Sequence, residues 1–123
     1  MKNYNFVKFQ GVYHRGDQRI GVNKSGLIRL SAGFCRATNA KSFKYVLLFY
    51  DKNNQAIAFK FTNKLEDGVL RVTQDDTAAA VSAKAFMVMN KLNLNEWVGR
   101  FAWNKLNIEG VGEAFIIELS NKK

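Results

Sequence analysis

Two apolar runs separated by a four-residue polar turn constrain the fold of this chain more than any other feature. Residues 44–50 carry apolar side chains on both faces of an extended strand, and residues 55–61 carry three on one face with Lys60 on the other. Proline is absent, and residues 51–54 supply the aspartate and asparagines that form turns. The pattern predicts a β-hairpin whose first strand is apolar on both faces and central in its sheet.

A shorter hairpin is predicted nearer the N-terminus. Residues 19–23 and 27–30 form its strands, joined by a three-residue loop in which Gly26 takes the left-handed conformation. This loop length keeps the apolar side chains on one surface and leaves Gly21 opposite Arg29 on the other, whereas a two-residue loop would lose the alternation. The apolar pairs are then Val22 with Ile28 and Ile20 with Leu30.

The second half of the chain predicts one main helix. Apolar residues recur at spacings of four, three and four within residues 77–92, Thr77 can cap the first turn, and Asp75 and Asp76 lie beside its positive end. The predicted apolar stripe consists of Val81, Ala85, Val88 and Leu92, flanked by packing residues Met87 and Met89. A short helix is predicted at residues 32–39, and further strands at residues 69–73, 100–105 and 114–119.

These elements predict an α+β fold: mainly antiparallel sheet or a small barrel, with one main helix near residues 77–92. The 123 residues, 47% of them hydrophobic, are enough for one core, so residues 1–123 are predicted to be a single domain. It would comprise a basic, strand-rich half, residues 1–64, and a near-neutral half with a helix and two strands, residues 65–123. The sequence shows no signal peptide or membrane-spanning run, so we expect a soluble, intracellular and cytoplasmic protein that binds no membrane.

The positive charge is concentrated in the first half of the chain. Residues 1–64 hold twelve Lys and Arg against two acids, whereas residues 65–123 hold seven against eight. Like charges concentrated in one half repel one another in an isolated chain, so the pattern predicts a polyanionic partner. Nucleic acid is the commonest such partner, and DNA is expected ahead of RNA. A basic composition that serves only solubility is the other interpretation.

Residues for catalysis are few. A triad, a Cys-His pair or a histidine-rich metal site would depend on the single histidine, His14. The acidic pairs, Asp75 with Asp76 and Glu66 with Asp67, are sequence neighbours on predicted loops, where side chains usually point apart. Phosphate-binding glycine loops are absent. We therefore expect no enzyme, no cofactor and no metal, and expect Cys35 to be a core residue.

The basic half resembles a known family. Residues 26–36, GLIRLSAGFCR, resemble the glycine-led signature of the AbrB/MazE-like swapped-hairpin transcription regulators, including its terminal arginine. Residues 45–61 resemble the hairpin that completes the family's unit, so the resemblance spans residues 19–61. It departs from the family at Ser31, where proline is usual, and at residues 42–44, where a Gly-Asp turn is usual.

The resemblance implies a homodimer of interlocked hairpins that grips duplex DNA with basic side chains and regulates transcription. On this sequence those side chains are Arg19, Lys24, Arg29 and Arg36. With Lys60, on the polar face of the strong hairpin, they form the predicted nucleic-acid-binding set.

Two other functions remain open. The chain also resembles whirly-type and coactivator-type single-strand binders, which stack bases on aromatic rings beside cations. The stacking candidates are Lys8 between Phe6 and Phe9, Lys60 between Phe59 and Phe61, and Arg100 before Phe101 and Trp103, although the same rings could instead be core residues. A phage- or plasmid-type interaction or inhibitor module that binds an acidic protein is the third possibility.

Overall fold

The computed structural model describes residues 3–6 and 18–121. These residues contain nine strands: β1 (Ile20–Val22), β2 (Leu27–Leu30), β3 (Tyr45–Asp51), β4 (Ala56–Thr62), β5 (Leu70–Gln74), β6 (Ala79–Ser82), β7 (Gly99–Phe101), β8 (Asn104–Ile108) and β9 (Gly112–Glu118). They form one antiparallel sheet in the order β7-β1-β2-β6-β5-β3-β4-β9-β8.

The sheet curls into a half-barrel around its core. Strands β7-β1-β2-β6-β5 form what we call the first half-sheet, and β3-β4-β9-β8 form the second. The two are joined by a short pairing in which only Tyr45 with Arg71 and Val46 with Leu70 are in register. Alternate side chains of both half-sheets point inward and are fully buried, among them Ile20, Ile28, Val81, Phe101, Val46, Ile57, Phe59 and Ile117.

Helix α1 (Ala32–Thr38) links the two half-sheets and contributes an aromatic anchor to the core. The hydroxyl oxygen of Ser31 caps it by accepting the backbone N–H of Phe34 at 3.1 Å. Asn39 ends it in the left-handed conformation. The fully buried ring of Phe34 meets Trp103 and Phe115 edge to face, with ring centroids 5.2 and 5.5 Å apart.

Both predicted hairpins are confirmed. In the first, Ile20 pairs with Leu30 and Gly21 with Arg29, in the register expected from burial. In the second, β3 and β4 pair along seven residues, with β5 on the other side of β3. The strand β3 is therefore central in its pairing, as predicted. Its inner face is buried at Val46, whereas its apolar outer face leaves Phe49 39% exposed.

The main helix predicted at residues 77–92 is wrong in its first half. Residues 79–82 form β6, which pairs with β2 on one side and β5 on the other. The carboxylate of Asp75 accepts the backbone N–H groups of Thr77 and Ala78, as a helix cap would, but here it closes a hairpin turn. The three strands predicted within residues 65–123 are likewise too few, since the described residues of this half contribute five, β5 to β9.

The rest of the predicted helix is the short α2 (Lys84–Met89), followed by α3 (Leu94–Trp97). The N–H of Lys91 donates to the carbonyl of Val88, and that of Leu92 to Met87, a Schellman ending that stops α2 early. The predicted apolar stripe fails here too, because Val88 is 61% exposed. Of the two methionines predicted to pack beside it, Met87 is buried and Met89 is 82% exposed.

The end of α2 offers a test of this geometry. Lys91 holds the left-handed position with φ +56°, which glycine adopts without the steric penalty of a Cβ atom. We expect Lys91→Gly to raise the free energy of unfolding by about 1 kcal/mol in a urea titration. The matched change Lys84→Gly, at the first residue of the same helix, should instead lower it. Destabilisation by Lys91→Gly would contradict the Schellman ending.

Of the described helices, none has the length and apolar character needed to cross a membrane.

Candidate functional site

Arginines from neighbouring strands lie in one row on the outer surface of the first half-sheet. Gly21 on β1 pairs with Arg29 on β2 and with Arg100 on β7. Directly paired residues point to the same side of a sheet, so the two arginines flank the glycine on one face. The row continues from Arg29 to Ala80 on β6 and Thr73 on β5.

A cleft of about 480 Å³ opens along this row, and we call it the arginine cleft. Of the described residues, three arginines line it, one from each of the adjacent segments: Arg19 just before β1, Arg29 on β2 and Arg100 on β7. Gly21, Ser31 and Gly99 also line it. Because arginine stays protonated at every physiological pH, the cleft concentrates fixed positive charge on one surface.

Asp75 lies in the β5–β6 turn, where its carboxylate accepts the N–H of Ala78, a residue that lines the arginine cleft. Backbone N–H groups of Ala78 and Thr77, followed by the charges of Lys41 and Arg29, hold the pKa of Asp75 below its usual range. Asp75 therefore stays ionised at neutral pH.

The structure brings together only part of the predicted binding set. Arg19 and Arg29 line the arginine cleft, as a shared site requires. Lys24 lies in the β1–β2 turn and Arg36 on α1, and neither lines the cleft. Lys60 lies on β4 in the second half-sheet. Its Nζ atom would be 3.1 Å from a Cβ atom built on Gly112. The structure thus groups Arg19 with Arg29 and places Lys24, Arg36 and Lys60 outside the cleft, and their part in binding stays a prediction.

The aromatic rings proposed for base stacking are mostly in the core. Phe59 and Phe101 are fully buried, Phe61 is 6% exposed, and Trp103 packs edge to face on Phe34 while its indole N–H donates to the carbonyl of Gln18. The alternative interpretation of these rings as core residues is confirmed. Phe6 is exposed and stacks on Tyr4, while Lys8 and Phe9 lie outside the described residues.

The groups considered for catalysis are dispersed. Within residues 3–6 and 18–121, no three or more Cys, His, Asp and Glu side chains are grouped as metal ligands. Burial raises the pKa of the Cys35 thiol, and its side chain belongs to the core as predicted. Asp75 and Asp76 present their backbone carbonyls to the Lys41 ammonium at 2.6 and 2.7 Å. His14 lies outside the described residues.

A second surface groove differs in chemistry from the arginine cleft. It has a volume of about 380 Å³ on the second half-sheet, with Ala58 in its floor and Phe49 and Leu106 among its walls. The carboxylates of Asp51 and Glu118 line it as well. An apolar groove with acidic groups repels anions, so the arginine cleft is the better candidate for a polyanionic ligand.

Two members of the site carry no direct signal in the sequence. Arg100 stood out only as a cation before two aromatic residues, and Gly21 only as the partner of Arg29. The alternation in residues 98–101 indicates a strand with Arg100 and Phe101 on opposite faces, but nothing local indicates that this strand lies beside β1.

Comparison of the chain with protein-family models, with curated proteins and with solved structures finds no match. The case for function therefore rests on the arginine cleft.

Proposed function

We propose that this protein binds nucleic acid without catalysis, by holding backbone phosphates in the arginine cleft. The observation that carries the proposal is the convergence of Arg19, Arg29 and Arg100 on one surface from three separate segments of the chain. The planar guanidinium group matches the oxygens of a phosphate in a two-bond geometry, which makes arginine the characteristic residue of phosphate recognition.

The shape and surroundings of the cleft favour phosphate contacts over base stacking. Among the described residues, its lining consists of arginines, glycines, small polar or alanine side chains and the aliphatic Val22, Leu30 and Val98, with no aromatic ring. A protein that grips phosphates in this way binds many sequences with similar affinity, and its affinity falls steeply with salt because bound counterions are released. DNA is the first ligand to test, and duplex DNA should be tested before single-stranded DNA.

The test is a titration of duplex DNA by fluorescence anisotropy at several salt concentrations. Replacing Arg19, Arg29 and Arg100 with alanine should weaken binding at least tenfold for every sequence. It should also flatten the slope of log affinity against log salt by up to about 2.7, since each lost phosphate contact contributes about 0.9. Single-stranded DNA and RNA of the same sequence, titrated alongside, identify the preferred strand type.

A matched control removes the same charge elsewhere. Lys52, Lys64 and Lys105 are exposed and lie on the second half-sheet or its turns, and their replacement by alanine also lowers the net charge by three. We expect this triple variant to keep most of the affinity. Equal losses from both triples would mean that only overall charge matters. Absence of binding by the unmodified protein at ~50 mM salt would contradict the proposal and favour an acidic protein partner.

Regulation of transcription as a dimer is a finer proposal that rests on the family resemblance. The order hairpin, α1, hairpin agrees with it. In the interlocked family, however, a partner subunit completes the barrel, whereas here β2 pairs with β6 and β4 with β9 of the same chain. The homodimer stays a prediction of the resemblance.

A further inference from the structure

Gly21 is a glycine in the middle of a strand, where glycine normally weakens the sheet. It lacks a side chain to pack and loses more conformational entropy on folding than other residues. A glycine in this position usually marks a bulge, a close approach of another backbone, an unusual φ angle, or a place where a ligand comes near.

The first three explanations do not apply to Gly21. It is paired in regular register on both sides, with Arg29 and Arg100, so there is no bulge. Its φ is outside the positive range that five other glycines occupy. A Cβ atom built on it would lie 3.9 Å from the Cβ of Arg29 and 3.9 Å from the carbonyl oxygen of Gly99, which are ordinary contacts. Neither backbone conformation nor packing requires glycine here.

The remaining explanation is the space that the missing side chain leaves in the arginine cleft. Arg29 and Arg100 stand on either side of Gly21, two strand spacings apart, or roughly 10 Å between their Cα atoms. Both are exposed and long enough to reach over a residue without a side chain. A larger residue at position 21 would occupy space between the Arg29 and Arg100 side chains, which flank it on the same face.

The geometry points to a single phosphate position over Gly21, held between Arg29 and Arg100. The ligand class is a phosphate group, with oxygens that accept from both guanidinium forks. The identification of its source as a nucleic-acid backbone rests on the proposed function; a free phosphate compound would present the same chemistry. Gly21 is thus a specificity-determining position, which admits the phosphate by leaving room for it.

The test is a graded series at this position, Gly21→Ala and Gly21→Val, titrated with the labelled DNA duplex and, separately, with pyrophosphate by calorimetry. Affinity should fall with side-chain size, by at least tenfold for valine. The melting temperature should stay the same or rise, because valine favours strands and the backbone does not require glycine. The matched control is Ala80→Val, on the opposite side of Arg29 in the same row, which should change affinity less than threefold.

The outcomes separate the two proposals. If the unmodified protein binds DNA and Gly21→Val binds it equally well with its fold intact, the phosphate position is wrong while the proposed function stands. If the protein binds pyrophosphate but not DNA, and Gly21→Val abolishes that binding, the phosphate position is right and the proposed function is wrong. Equal losses from Gly21→Val and Ala80→Val would overturn the assignment to Gly21, as would an absence of binding to both probes.

Discussion

Replacing Phe34 with alanine should lower the free energy of unfolding by about 3–5 kcal/mol. The ring is fully buried and lies within 5.2–6.1 Å, centroid to centroid, of Trp103, Phe115 and Phe61. Its removal leaves a cavity bounded by rigid rings from β4, β9 and the segment after β7, which cannot easily collapse. Each lost aromatic pair lowers the free energy of unfolding by roughly 0.5–1.5 kcal/mol beyond the effect of the lost apolar burial.

A urea titration measures this loss directly when the free energy of unfolding falls with urea concentration at the same slope in both proteins. Arg36→Ala on the exposed face of the same helix is the control and should change the free energy of unfolding by less than about 0.5 kcal/mol. A loss below about 1 kcal/mol for Phe34→Ala would mean that α1 is not anchored in the core. Small domains have total stabilities of about 5–15 kcal/mol, so the expected effect could unfold a measurable fraction at 37 °C.

Replacing Gly26 with alanine should destabilise the protein by about 2–5 kcal/mol, for two separate reasons. Gly26 has φ +84°, where a Cβ atom is strained. That atom would also lie 2.7 Å from the Cα of Lys84 and 3.0 Å from its backbone nitrogen. The backbone cannot withdraw easily, because the carbonyl of Gly26 accepts the N–H of Ala83 at 2.9 Å.

Gly110→Ala separates the two reasons. Gly110 has φ +80°, and a Cβ atom there meets nothing within 4 Å, so its substitution reports the conformational penalty alone, about 1 kcal/mol. The difference between the two variants is then the steric conflict between the β1–β2 turn and the start of α2. Equal effects would show that these two segments are not in contact.

Local patterns in the sequence predict the hairpins well. The β1–β2 register follows from burial and from the position of Gly26, and the β3–β4 hairpin from a polar turn between alternating runs. Each depends on residues less than about 20 apart, so turn chemistry and side-chain period are sufficient.

The pairings between distant segments could not be predicted in this way. Residues 79–82 are alanines, a valine and a serine with little preference of their own, and they form a strand because β2 and β5 each pair with them. The turn signal at Asp75 fits a helix start and a hairpin equally. The same limit applies to the arginine cleft: Arg29 and Gly21 are predicted neighbours, whereas Arg100 joins them through a pairing that no short pattern encodes.

The arginine cleft depends on β7, the strand at the edge of the sheet, because β7 carries Arg100. Arg100 reaches Gly21 only when residues about 80 positions apart come together, and closing so long a loop lowers chain entropy before any contact compensates for it. Among the described residues, strand β7 pairs through three residues with one neighbour, β1, so we expect it to join the sheet after the hairpins. The arginine cleft is thus complete only once β7 has paired, since that pairing places Arg100 beside Gly21, whereas both hairpins form from residues close together in the sequence.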